Sequence, residues 1–269
     1  MKIAVITGAS SGIGKEVFRQ IPSTLGVEEV WVIARNAEKL TALQSETSLP
    51  VRAIPMDLSL PSSWEEYRNL LDAEQPQVVF LANCSGYGKF GGVEEISLSD
   101  ALGMVDLNCA ALTAITLNTL PFMGQGAKIM QIASVAAFQP IPYIAVYGAS
   151  KAYVLSYSRA LNKELKPRGI SVTAVCPFWT KTAFFDRAVK KDGKRPVVVK
   201  YAAMYDPVKV VKRAYRDTLR GKDVSKYGGI ARLQAFACKV MPHSLVMKVW
   251  MRQQKLKQYE KLMQENENQ

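Results

Sequence analysis

Six short, almost unbroken apolar runs, separated by stretches of helical spacing, constrain this chain more than any other feature. They lie at residues 2–6 (KIAVI), 30–34 (VWVIA), 51–55 (VRAIP), 77–82 (QVVFLA), 128–133 (KIMQIA) and 170–176 (ISVTAVC). A strand that is apolar on both faces belongs in a parallel sheet covered on both sides, and alternating helices supply the cover. Helices are predicted from a glycine turn to about Pro22 and at residues 36–46, 62–73, 99–119 and 147–165. The third carries Trp64, Tyr67, Leu70 and Leu71 at helical spacing, and the fourth follows start signals from Ser97 to Asp100. The expected fold class is α/β, one doubly wound parallel sheet with helices on both faces. No repeat or low-complexity linker divides the 269 residues, so residues 1–269 read as one domain. Two regions break the pattern. Residues 178–205 mix aromatic and basic residues without a period, and residues 230–265 read as a helical C-terminal extension interrupted at Pro242. Ligands of doubly wound sheets sit at the C-terminal strand ends, so both regions are candidate covers for that edge.

Several chemistries are excluded or disfavoured. The single histidine, His243, stands beside Pro242 in a basic tail, which leaves a histidine-based triad no credible partner. Cys84, Cys109, Cys176 and Cys238 are widely spaced, without a CxxC pair. They read as small buried hydrophobes of a reducing compartment, and no metal site is expected. Met1 and Lys2 lead straight into an apolar run ending in a glycine turn, unlike a signal peptide. The longest weakly polar stretch, residues 107–122, holds Asn108 and Asn118 and falls short of the ~20 residues of a membrane span. A cytoplasmic protein is therefore expected. The formal charge of +12 suits an anionic partner or simply a lysine-rich solvated surface. No nucleic-acid motif accompanies it, so no nucleic-acid partner is expected.

Between the first strand and the first helix stands Thr7-Gly8-Ala9-Ser10-Ser11-Gly12-Ile13-Gly14. Glycines there permit a tight turn and let a pyrophosphate approach backbone N–H groups at a helix N-terminus. The turn resembles TGxxxGxG of the short-chain dehydrogenase/reductase family, a Rossmann-type fold. The resemblance implies a nicotinamide dinucleotide held by Gly8, Ser10, Ser11, Gly12, Ile13 and Gly14. In that family the end of the second strand selects the cofactor, and here it offers Arg35 and no carboxylate before Glu38. A guanidinium fork matches a 2′-phosphate, so NADP is expected ahead of NAD. Lys15 lies one residue beyond the turn and is the weaker candidate. Asp57 resembles the family's adenine-contacting aspartate, with a turn cap as the plain alternative. Asn83-Cys84-Ser85-Gly86 takes the place of the family's NNAG motif and matches it at Asn83 and Gly86.

Tyr147 and Lys151 form a YxxxK pair, which a helix stacks on one face. A second such pair, Tyr205 and Lys209, stands downstream, but Pro207 is expected to prevent a regular helix there. Only Tyr147 lies thirteen residues after a serine, Ser134, that ends an apolar strand. A phenol of unperturbed pKa ~10 needs a nearby ammonium to favour its ionised form. Lys151 would supply that charge, lower the Tyr147 pKa and, by the resemblance, bind the nicotinamide ribose. Ser134 would orient the same carbonyl oxygen. Asn108 completes the family's tetrad, holding a water for a proton relay through Lys151, whereas Asn118 reads as an exposed polar residue. Residues 176–182 (CPFWTKT) resemble the family's PGxxxT segment, placing Pro177 and Thr182 near the carboxamide. Phe178 replaces the usual glycine, which predicts a locally different backbone or nicotinamide pocket.

The strong resemblance spans residues 1–182. Residues 183–205 are expected to form a substrate lid whose aromatics, with Phe178, Trp179, Phe138 and Ile144, suit a bulky apolar ketone or secondary alcohol of steroid-, acyl- or lipid-like character. Lys190, Lys191, Lys194, Arg195 and Lys200 would attract an anionic substrate group or form a solvated loop. In the tail, Leu233, Phe236, Val240, Leu245, Val249 and Trp250 recur near helical spacing among basic residues. Packing of that stripe over the site or on a second subunit is preferred to contact with a membrane. The expected protein is an NADP-dependent oxidoreductase, a homodimer or homotetramer by the resemblance. A non-catalytic dinucleotide sensor or a membrane-surface protein on the same fold is the alternative, and an epimerase or dehydratase stays open.

Overall fold

The computed structural model describes residues 1–189 and 196–259. Seven strands form one parallel sheet in the order β3-β2-β1-β4-β5-β6-β7. They are β1 (Lys2–Thr7), β2 (Glu29–Ala34), β3 (Val51–Pro55), β4 (Gln77–Asn83), β5 (Lys128–Ile132), β6 (Ser171–Val175) and β7 (Val224–Ser225). The helices are α1 (Gly12–Arg19), α2 (Ala37–Thr41), α3 (Pro61–Glu74), α4 (Leu98–Val105), α5 (Leu112–Thr119), α6 (Ala145–Glu164), α7 (Phe184–Ala188), α8 (Pro207–Leu219), α9 (Gly229–Val240) and α10 (His243–Gln253).

Successive strand residues point to opposite faces, and each face has its own core. Ile3, Val5, Trp31 and Ile33 pack with Tyr67 and Leu71 of α3 and Ile115 of α5. Ala4, Ile6, Val30 and Val32 pack on the other face with Val17 and Phe18 of α1 and Val211 and Tyr215 of α8. Unbroken apolarity in the strands is the imprint of these two cores.

Four expectations need correction. Residues 99–119 are not one regular helix, because α4 passes into a π-helical segment, Asp106–Ala111, before α5 begins. The whole helical stretch Leu98–Phe122 is long and apolar enough to cross a membrane by length and composition, contrary to the sequence reading. It packs on the sheet instead, with Met104, Asn108, Ile115 and Thr116 buried completely. Pro207 starts α8 rather than preventing it. At the first helical position its missing N–H and fixed φ cost nothing, and Asp206 caps the helix by accepting from the Val208 N–H at 2.9 Å. Asn118 is half-buried, not exposed, and donates to the Trp64 carbonyl at 2.9 Å.

The C-terminal extension docks on the main body through a face other than the one predicted. Ala231, Ala235 and Cys238 of α9 and Val246 and Trp250 of α10 are buried. The Trp250 indole donates to the Pro142 carbonyl at 3.0 Å, and the Tyr259 hydroxyl donates to Glu95. Of the predicted stripe only Trp250 is buried. Simple spacing favoured the larger side chains, whereas close packing of α9 requires small ones. The extension beyond Tyr259 and the lid residues Lys190, Lys191, Lys194 and Arg195 lie outside the described residues.

Candidate active site

The strand order reverses between β1 and β4, which opens a crevice at their C-terminal ends. The glycine turn enters it from β1. Gly8 has φ +67°, and a Cβ there would lie 2.8 Å from the Ser85 nitrogen, so turn and β4 loop meet backbone to backbone. A Cβ on Gly14 would fall on the Gly8 carbonyl. Thr7, unremarked in the sequence, ties the two together by accepting from the Cys84 and Ser85 N–H groups at 3.1 Å. Ser10, Ser11, Gly12, Ile13 and Gly14 then line a cavity of about 1010 Å³, with Gly86 on its other side. Lys15 turns away to pair with Glu46 at 2.8 Å.

Arg35, just beyond β2, and Lys39 on α2 line the same cavity. The Arg35 guanidinium is largely exposed, 3.9 Å from Asp57. Asp57 caps its own turn, accepting from the Ser59 N–H at 3.0 Å and hydroxyl at 2.7 Å. The structure thus shows the turn cap, with Asp57 also among the residues lining the cavity. Asn83 does not reach the cavity. It is buried beneath the sheet edge and donates to the Thr116 hydroxyl at 3.0 Å.

Tyr147 and Lys151 lie one turn apart on α6, with Ser134 two residues beyond the end of β5. All three line the cavity. The Lys151 ammonium donates to the Ile132 carbonyl at 2.8 Å and lies 5.8 Å from the centre of the Tyr147 ring. Burial pushes the Tyr147 phenol up to about 12, and a hydrogen bond with the Ser134 side chain draws it partly back. Burial moves Lys151 the other way, down to about 8. The expected lowering of Tyr147 by Lys151 is thus overridden, because removal from water disfavours the charged form of each group. The phenol is left in its proton-bearing form. Ser134 also accepts from the Ala136 N–H at 3.1 Å, so it caps as well as faces the cavity.

Asn108 is fully buried in the π-helical segment. Its amide donates to the Tyr87 carbonyl at 2.9 Å and the Ser150 hydroxyl at 3.0 Å, and its oxygen accepts from the Tyr87 N–H at 3.0 Å. A Cβ on Gly86 would approach that oxygen to 2.8 Å and the Lys151 ammonium to 3.4 Å. Both donors of Asn108 are spent on clamping the β4 loop to α6, which gives it a positioning task that spacing alone did not reveal. The irregular turn presents it: a π segment re-aims side chains at functional sites.

Over the phenol lies an aromatic wall. Phe184 and Phe90 meet the Tyr147 ring at 5.4 and 6.1 Å between centres, and Trp179 meets Tyr201 at 5.2 Å. Phe90 and Tyr87 were missed in the sequence; the only signal was their nearness to Gly86. Phe178 needs no left-handed backbone, since the only non-glycine residues of positive φ among those described are Gln75, Tyr143 and Lys255. Its ring stacks edgewise on Trp179 and Tyr205. Pro177 accepts from the Val135 N–H at 3.0 Å, and Thr182 packs against Gly12. Tyr205 precedes α8, forms a β-bridge with Thr180 and packs its ring against Phe178 and Tyr227, outside the cavity lining. Lys200 lines the cavity. No cluster of metal-ligating side chains occurs among the described residues.

The sequence profile of the family described as short chain dehydrogenase matches residues 2–193. A probable short-chain type dehydrogenase/reductase of Helicobacter pylori is 29% identical over 232 residues, spanning 83% of this chain and 81% of its own length. A very-long-chain 3-oxoacyl-CoA reductase of Emericella nidulans is 32% identical over 186 residues, 64% of this chain and 52% of its own. Among solved structures, a short-chain dehydrogenase from Sphingobium yanoikuyae in complex with NADPH is similar at a TM-score of 0.74 and 29% identity, covering 88% of this chain and 92% of that one.

Proposed function

Since the chain belongs to the short-chain dehydrogenases, we propose that it is an NADP-dependent oxidoreductase interconverting a bulky apolar ketone and its secondary alcohol, with Tyr147 as the proton-exchanging group. The observation that carries this reading is the meeting of Tyr147, Ser134 and Lys151 on one cavity that the glycine turn also lines. The bare backbone at Gly8, Gly14 and Gly86 fits close approach of a dinucleotide. The similar Sphingobium enzyme, solved with NADPH, supports the same cofactor.

NADPH would supply the hydride. The other demands fall on residues of this chain. Ser134 and Tyr147 would hold the substrate oxygen between two hydroxyl donors. Tyr147, kept protonated by burial, would give up its proton as charge develops there. Lys151 would stabilise the phenolate left behind. Asn108, through Tyr87 and Ser150, holds the loop and helix that carry these groups in register. The aromatic wall of Phe90, Trp179 and Phe184 would exclude water and favour an apolar substrate. The Emericella relative's acyl substrate class is consistent with such a wall.

Four free cysteines fit a cytoplasmic setting. Leu98, Leu102 and Val105 of α4, Leu117 of α5 and Tyr153 of α6 are exposed, a face suited to a second subunit in a homodimer or homotetramer. Residues 1–269 are taken as one domain.

NADP preference rests on Arg35, with Lys39 beside it, and on the lack of a carboxylate at the end of β2. Arg35→Asp is expected to lower the ratio of kcat/KM for NADPH over NADH by about 10- to 100-fold, the worth of a lost charge-assisted contact. Initial rates with both cofactors and one ketone measure it, and an unchanged ratio assigns the 2′-phosphate elsewhere.

A further inference from the structure

Two C-terminal helices leave uncovered the apolar residues that helical spacing selects. On α9 these are Ile230, Leu233, Phe236 and Val240, and on α10 Leu245 and Val249, each between 41 and 68% exposed. Their neighbours around each helix follow one order. On α9 the exposed cations Arg232 and Lys239 flank the apolar row on one side, and Gln234, Ala237 and Met241, which line the cavity, flank it on the other. On α10, Lys248 and Arg252 lie outward of Leu245 and Val249, while Val246 and Gln253 line the cavity. Ile230, Leu233 and Val249 are both exposed and part of the cavity lining, so the apolar row is continuous with the cavity mouth.

The charges carried by the two helices are of one sign. From residue 224 to residue 259 the chain carries seven lysines and arginines and no aspartate or glutamate. A second copy of the chain is a poor occupant. A two-fold interface apposes the same patch on both subunits, which here brings cations against cations with no carboxylate to separate them. An apolar row edged by cations matches a surface that is apolar beneath and anionic on top.

We propose that α9 and α10 dock this protein on an anionic lipid bilayer, with the apolar row sunk among the acyl chains and the cavity mouth opening onto the lipid. Arg232, Lys239, Lys248 and Arg252 then lie at the level of the headgroup phosphates. An apolar substrate passes from the bilayer to the aromatic wall without crossing water. Docking itself does not depend on the chemistry at Tyr147.

Flotation of the full chain with vesicles of phosphatidylcholine, with and without phosphatidylglycerol, tests this. Binding is expected to be at least about 10-fold tighter to the anionic vesicles and to weaken with salt. Arg232→Glu with Lys239→Glu is expected to weaken it by about 25-fold or more, taking about 5-fold for each cation lost. Leu233→Ser with Phe236→Ser is expected to weaken it by about 10-fold or more, with an unchanged thermal midpoint because both side chains are exposed. Tyr147→Phe is expected to float like the native chain, which separates failure of the proposed reaction from failure of docking. Absence of binding to any vesicle, equal binding to neutral and anionic ones, or indifference to both double variants overturns the proposal. So does a dimer in light scattering that the Leu233–Phe236 variant disperses.

Discussion

Tyr147→Phe is expected to lower kcat/KM for ketone reduction by about 100- to 10,000-fold, the contribution of a positioned general acid, while NADPH affinity stays essentially unchanged. The substitution removes one hydroxyl and leaves the ring packed between Phe90 and Phe184. The native pH profile carries a second signature. Lys151, lowered to about 8 by burial, is a cation below that pH and neutral above it. The cation favours the phenolate that proton transfer creates, so kcat/KM for reduction falls as pH rises through about 8. In Tyr147→Phe no phenolate forms, and that limb disappears from the residual rate. Initial rates of NADPH oxidation across this range measure both effects, and full activity in the variant removes Tyr147 from the reaction.

Gly14→Ala is expected to weaken NADPH binding by about 100-fold or more, equivalent to losing two charge-assisted hydrogen bonds of ~1.5 kcal/mol each. The added methyl group falls on the Gly8 carbonyl, which is backbone and cannot rotate away. The turn must open, displacing the N–H groups at the start of α1. Overpacking also costs about 1–3 kcal/mol of stability, so the thermal midpoint falls even without cofactor. Gly124→Ala is the matched control, because a Cβ there meets nothing within 4 Å. Calorimetric titration with NADPH distinguishes the two, and equal affinity in both variants contradicts a dinucleotide cradle at this turn.

The sheet was legible because burial on both faces leaves an uninterrupted apolar imprint in each of β1 to β6. β7 was not legible, since a two-residue strand has no period to read. It is held instead by Asp217, which is buried on α8, pairs with Arg213 at 2.6 Å and accepts from the Ser225 hydroxyl at 2.8 Å. The π-helical segment was also invisible, because it alters hydrogen bonding within a helix without altering which residue types suit it.

At the site, residues acting through backbone spacing were readable, as with the glycine turn, Ser134 and the Tyr147–Lys151 pair. Residues whose task depends on a distant partner were not. Asn83 ends β4 where a cofactor residue would stand, yet Thr116 claims its amide. Asn108 was singled out, but its clamp on Tyr87 and Ser150 needed the packing of three segments to emerge. Charge effects were the least readable. Spacing placed Lys151 beside Tyr147, whereas the depth of burial decides that the phenol rises and the ammonium falls.

Label transfer tests the central claim most directly. The native protein is incubated with NADPH deuterated at both positions of the nicotinamide C4 and with a panel of steroidal, aryl and long-chain ketones, and the products are weighed by mass spectrometry. An alcohol carrying one deuterium on its carbinol carbon is the expected result. NADPH that binds but is oxidised with no ketone, or alcohol that forms without label, contradicts a carbonyl reductase built on Tyr147.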